Sequence, residues 1–197
     1  EQCVREGVRR GGRGDPGLAY TIGRLRFAEE KWGDAWKTLR EAKEAGFDPV
    51  LARHWFYRAS VNRAAWLVDD GRPLEAITEL EDLRRTQPGH PDESSLLVNL
   101  AAAHRVIQEP QPAARLLDGV LAKTPGNASA LYLYGRILVD EGRLEEAIAR
   151  FRQALLNSSP SPDDKPYVDS LLRISEASVK LVKLEDAEVA ARQRLAI

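Results

Sequence analysis

Residues 139–148, VDEGRLEEAI, repeat residues 68–77, VDDGRPLEAI, at seven of ten positions without a gap. The offset is 71 residues, close to two units of 34 with a short insertion, so a further unit is expected between them. It is there: Leu97, Leu100, Ala101, Ala113, Leu117 and Val120 stand 34 residues before Leu131, Tyr134, Gly135, Ala147, Phe151 and Ala154. Within each unit, apolar residues recur at helical spacing on both sides of a central turn, which predicts two helices per unit. Gly135 and Ala147 are expected where the two helices approach closely, and Gly142 where the first helix ends in a left-handed turn. Phe151 and Leu155, one turn apart, form an apolar stripe for a neighbouring unit to cover.

Outward extension of this register gives an earlier unit over about 57–90, with Ala64, Gly71, Ala76, Leu80, Leu83 and Pro88. The loop Gly89-His90-Pro91 after it accounts for the extra residues in the offset. A first unit over 16–49 carries Ile22, Gly23, Ala35, Leu39 and Ala42, and closes on Gly46 and Pro49. The remaining units span about 94–127, 128–161 and 168–197, the last with Leu171, Ile174, Ser175 and Ala187. Residues 1–15 are expected to form an N-terminal helix and loop. The Pro- and Ser-rich stretch 158–166 is expected to be an enlarged loop between units.

The stretch ALYLYGRILVDEGRLEEAIARFRQAL from Ala130 resembles the tetratricopeptide repeat. That pattern sets a bulky residue at place 4, Leu at 7, a small residue at 8, Ala at 20, an aromatic at 24, Ala at 27 and Pro at 32. The resemblance implies an all-α chain, an α-α superhelix (solenoid) of about five helix-turn-helix repeats running as a single array over 1–197, with ten or eleven helices. Departures fall at Ser60 and Arg63, which occupy apolar places, and at Arg26 and His104, where Tyr is usual.

Composition agrees with a helical chain. Charged residues make up 30% and aromatics 7%, and Ala, Leu, Glu and Arg predominate, the usage of solvated helices with aliphatic faces. Against 29 Lys and Arg stand 30 Asp and Glu, a net charge of -1, which lacks the electrostatic pull that general nucleic-acid binding requires. A single cysteine, Cys3, excludes an internal disulfide. No run of 18 apolar residues is present, so no membrane-spanning helix is expected. The chain contains no methionine, which fits a processed start or a piece of something longer.

Chemistry is sparsely signalled. Neither His54 nor His104 has a second ligand three or four residues away, and His90 lies in the Gly89-His90-Pro91 loop, so the spacing predicts no helical metal pair, and no cofactor is expected. Gly11, Gly12 and Gly14 precede Asp15-Pro16 and lack the Lys-Ser/Thr ending of a phosphate loop. No nucleophile elbow occurs, and carboxylates such as Glu145 and Glu146 fall on outer faces, so the chain is not expected to be an enzyme.

Stacked helix pairs present a concave surface lined by the first helix of each pair. By the resemblance, Tyr20, Arg24, Phe27, Arg58, Asn62, Arg105, Tyr132 and Arg136 line it, and a protein or peptide segment is the expected partner. Arg and Tyr there suit a contact surface. Asn62 matches one asparagine of the clamp that some relatives use on chaperone tails; Tyr20, Arg24, Ser95 and Asn99 do not match its other members. The function expected is a scaffold in a bacterial multiprotein assembly, cytoplasmic or at the cell envelope. The alternative is the substrate-recruiting repeat region of a larger enzyme such as a glycosyl- or sulfotransferase. Val189, Ala190, Leu195 and Ile197 would leave the last helix uncapped, so further chain or a second copy is expected to cover it.

Overall fold

The computed structural model describes residues 15–158 and 169–183; among them are nine helices and no strand. In chain order they are α1 (Pro16–Ala28), α2 (Trp32–Glu44), α3 (Pro49–Asp69), α4 (Pro73–Thr86), α5 (Glu93–Val106), α6 (Pro110–Lys123), α7 (Ala128–Asp140), α8 (Leu144–Leu156) and α9, seen over 169–183. The chain divides into two compact units at Ile107 and Gln108, inside the expected third repeat. The expected N-terminal helix, the 159–166 part of the Pro/Ser loop and the apolar residues beyond Lys183 lie outside the described residues.

Helix starts follow from sequence. Pro16, Pro49, Pro73 and Pro110 each open a helix, where the missing N–H costs nothing. The Asp15 carboxylate accepts from Gly17 N at 2.9 Å, and that of Asp48 accepts from Val50 N and Leu51 N at 3.0 and 3.1 Å. Asp48 and Pro49 also explain a boundary that the repeat register misplaced. The first helix of the second unit begins at Pro49, not near residue 57, because a cap and an N1 proline start it and nothing breaks it before Asp70.

The turn between paired helices has one geometry throughout. Glu30, Gly71, Gln108 and Gly142 occupy the same repeat place, and all have positive φ, at 58°, 78°, 61° and 77°. Lys31 N, Arg72 N and Arg143 N donate to Arg26 O, Leu67 O and Leu138 O, five residues back, closing the helix ends in a Schellman pattern. In the matching decapeptides, Arg72 forks onto Glu75 and Arg143 onto Glu146, each through two 2.7 Å bonds. Two of the four left-handed places hold side chains that the conformation disfavours by about 1–2 kcal/mol, against roughly 0.5–1 kcal/mol for the extra entropy of glycine. Glu30→Gly and Gln108→Gly are each expected to stabilise by about 0.5–1 kcal/mol. Chemical denaturation with an unchanged m-value and a raised midpoint is the check.

Packing follows the small-against-large pattern of the register. Ala35, Ala76, Ala113 and Ala147 share one place and are fully buried, as are Leu39, Leu80, Leu117 and Phe151 four residues on. A Cβ on Gly23 would lie 2.5 Å from Leu39 Cγ, and one on Gly135 would lie 2.5 Å from Phe151 Cε1. Both helix pairs close only because these places carry no side chain. The polar departures are also accommodated: Ser60, 3% exposed, donates to Phe56 O at 2.8 Å, and Arg63 pairs with Glu79 while its guanidinium lies 4.4 Å over Trp36.

In α9 the inward face differs from the expected one. Ser170 and Ala177 are buried and Ile174 packs on the α7–α8 core, whereas Leu171 is 48% exposed and Ser175 is exposed. One residue of rotation, about 100° on a helix, turns Leu171 out, so the fifth unit does not keep the register of the others.

Candidate functional site

In the first unit, α1 and α3 lie side by side and present an aromatic groove of about 360 Å³, walled by Tyr20, Arg24, Leu25, Phe27 and Trp55. Trp55 is its centre. The Phe27 ring meets Trp55 edge-on at 5.3 Å and Trp32 at 5.0 Å. The Arg24 guanidinium lies 4.7 Å from the Trp55 ring centre and 5.8 Å from that of Tyr20; Arg58 lies 5.0 Å from Trp55 and 5.4 Å from Phe27.

Both guanidinium carbons lie over aromatic faces, and a guanidinium engaged with a ring still has N–H donors to offer a carboxylate or phosphate. Among the described residues neither Arg24 nor Arg58 has an ion-pair partner. Other arginines of this unit do: Arg26 pairs with Glu29 at 3.1 Å, Arg63 with Glu79, Arg72 with Glu75. Two cations therefore share one indole with no anion between them among the described residues.

The expected contact residues divide. Arg24, Phe27 and Arg58 come together at the groove. Tyr20 also lines the groove, but it is 8% exposed and stacks on Phe47 at 4.6 Å within the core, so it offers the groove only an edge. Asn62 and Arg105 are half-buried on α3 and α5, and Arg105 is already engaged. Asn99, at a place where the chaperone-tail clamp carries a cation, donates to Val61 O at 3.1 Å and ties α5 to α3. In the second unit, the Tyr132 ring lies 5.8 Å from Phe151 and the Arg136 guanidinium 5.9 Å from Tyr132. A hydrogen bond to Tyr132, and a second to Glu176, raise the affinity of Arg173 for its proton, and Arg136 has a further partner. That pair is less free than Arg24 and Arg58.

Trp55 escaped the sequence reading because residues 50–56 fell between two repeats. The Asp48-Pro49 helix start was the signal that could have found it, since it places Trp55 inside α3, one turn before Arg58 and Ala59.

The tetratricopeptide-repeat family model matches residues 108–174. The FK506-binding protein-like protein of Homo sapiens is 40% identical over 141 residues, covering 71% of this chain and 39% of that protein. Its Mus musculus counterpart is 31% identical over 170 residues, covering 68% and 49%. The chain thus spans less than half the length of these relatives. Both are mammalian, and neither supports a bacterial setting or a transferase. Among solved structures, the APC/C hetero-tetramer Cut9-Hcn1 is similar with a TM-score of 0.64 at 18% identity, covering 98% of this chain and 35% of that one. YrrB, described as a TPR protein with an unusual peptide-binding site, has a TM-score of 0.53 at 15% identity, covering 90% and 82%. At these identities the structural likeness speaks to the fold alone. Repeats in one register, the family match over 108–174 and the helix-pair fold together lead to one conclusion: this chain is a tetratricopeptide-repeat protein.

Proposed function

We propose that the first unit binds an extended acidic protein segment in the groove between α1 and α3, and that the chain serves as an interaction scaffold in a larger protein assembly. The observation that carries this is the pair Arg24 and Arg58, stacked on Trp55 at 4.7 and 5.0 Å without a carboxylate partner among the described residues. Each guanidinium lies about 5 Å from one ring, so their mutual repulsion is relieved by an anion lying across both, while Phe27 and Trp55 offer apolar area to a neighbouring side chain. Tetratricopeptide-repeat proteins bind protein partners, and no catalytic role is proposed. The FK506-binding protein-like relatives are longer than the matched part; a recruiting role for this array inside a longer protein is consistent with that proportion. Leu171, Leu172, Val179 and Val182, all about half exposed on α9, are a second surface, on which a further copy could pack.

A panel of acidic, basic and apolar peptides titrated against the chain, followed by tryptophan fluorescence, tests the groove. Acidic peptides with a flanking aromatic or aliphatic residue are expected to bind, and Trp55→Ala to weaken them by about 2 kcal/mol or more, the range of an interface anchor. Equal binding of all three classes, or full binding by Trp55→Ala, contradicts the reading.

A further inference from the structure

Beside the groove, three side chains of the first unit converge where the loop after α4 enters α5, and the His54 ring meets that of Trp55 edge-on at 5.9 Å. His54 stands on the second turn of α3, and His90 and Asp92 lie on the loop; one donor atom from each falls within 4.8 Å of the other two. His90 is firmly placed. Its ring stacks on Tyr57 at 3.7 Å and 11°, and Tyr57 is 1% exposed. The His54 ring centre is 5.4 Å from that of His90, with the two planes 19° apart.

Asp92 supplies the pointer to a ligand. It occupies the N-cap of α5, yet its carboxylate makes no capping bond. Its Oδ2 lies 3.9 Å from His90 Nδ1 and is buried without a hydrogen-bond partner among the described residues. A buried carboxylate oxygen with no donor is unfavourable, and a cation beside it removes the penalty. A proton on His90 is one such cation. Burial, however, holds the His90 imidazole below its ordinary value against the pull of Asp92, with a smaller push from His54 in the same direction as burial. His90 Nδ1, the nitrogen 3.9 Å from Asp92 Oδ2, accepts from Asp92 N at 3.1 Å and so carries no proton to supply to that oxygen.

We propose that His54, His90 and Asp92 form a binding site for a divalent first-row transition ion of the zinc class, with water completing the coordination. Two imidazoles and one carboxylate suit such ions and not Mg²⁺ or Ca²⁺, which take oxygen donors. Two imidazoles sharing an ion at about 2.0–2.1 Å place their ring centres about 5 Å apart, close to the observed separation. The donors must close in by roughly 1–1.5 Å to reach tetrahedral spacing. The Asp92 N–H bond to Nδ1 is exchanged for the coordinate bond. Bound in this way, the ion ties α3 to the start of α5 and should stabilise the first unit.

The chain has only three histidines, so the test is clean if no polyhistidine tag is present. Zn²⁺ titrated calorimetrically into the metal-free chain is expected to bind once per chain and to raise the thermal midpoint, and Co²⁺ to give a visible spectrum of nitrogen and oxygen donors. His54→Phe and His90→Phe keep a ring against their neighbours but cannot ligate; each should weaken Zn²⁺ by about tenfold or more, and Asp92→Asn should also weaken it. His104→Phe should change nothing. If His90→Phe fails to fold by circular dichroism, His54→Phe and Asp92→Asn decide. Absence of saturable Zn²⁺ binding at micromolar ion, binding retained in both His54→Phe and Asp92→Asn, or binding lost in His104→Phe overturns the proposal.

Discussion

Gly135→Ala is expected to destabilise the second unit even though alanine is the better helix former. The added Cβ would lie 2.5, 2.7 and 2.9 Å from Phe151 Cε1, Cδ1 and Cζ, distances that real Cβ contacts do not reach. Phe151 has nowhere to retreat, because it is fully buried in a cluster with Leu138 and Ala147, flanked by Tyr132 and Ile174. Helix propensity favours alanine by about 1 kcal/mol, while overpacking of this kind costs about 1–3 kcal/mol and more when the ring cannot move. The steric cost should win, with a net loss of about 1–2 kcal/mol and a midpoint lower by several degrees. Gly23→Ala should behave alike, since its Cβ would meet Leu39 Cγ at 2.5 Å, and Gly135→Leu should be worse than either. Gly119 provides the contrast: it lies within α6 with nothing within 4 Å of its would-be Cβ, so Gly119→Ala should stabilise by about 0.5–1 kcal/mol. Equal melting temperatures for Gly135→Ala and Gly119→Ala would show that the close approach of α7 and α8 does not control stability.

That contrast marks what sequence could supply. The 34-residue register located Gly23 and Gly135 as contact places because a periodic pattern encodes volume: a small residue recurs wherever a large one faces it. Helix pairs, the left-handed turn at Gly142 and the alanine places were legible for the same reason, whereas the left-handed Glu30 and Gln108 were not. Three things were not. The early start of α3 lay in local capping chemistry, Asp48 and Pro49, which has no period and so left Trp55 unassigned. The α9 register slipped by one residue because 168–183 lacks the Ala and aromatic places that pin the other repeats, and rotation of a helix is fixed only by such anchors. The His54, His90 and Asp92 cluster joins residues 36 and 38 positions apart, so a search for ligands three or four residues apart within a helix cannot find it. Periodicity reports what every repeat shares, whereas a site is built from what one repeat has and the others lack.

Arg24→Glu/Arg58→Glu is expected to abolish acidic-peptide binding at the groove while leaving the helices intact. Both guanidiniums contribute only cation–π contacts among the described residues, each about 0.5–1 kcal/mol at an exposed site, so their loss should lower stability modestly. For binding, the double change removes two attractive charges and installs two repulsive ones beside Trp55. Arg24 is exposed and Arg58 half-buried, so solvent screens much of the Coulomb energy. Even so, a weakening of about tenfold or more, or roughly 1.4 kcal/mol, is expected from two reversals in one groove. The sign of the salt effect is the more discriminating readout. Acidic-peptide affinity of the parent should fall as ionic strength rises, whereas any residual affinity of the double variant should be flat or rise, because screening then reduces repulsion. Arg24→Lys/Arg58→Lys should fall between them, since lysine keeps the charge but gives up the planar fork and the stacking on Trp55. A basic peptide should gain affinity for the Glu variant. An acidic peptide that binds the double Glu variant as tightly as the parent, with the same salt slope, would remove the groove between α1 and α3 as the contact surface and leave the exposed apolar face of α9 as the next to test.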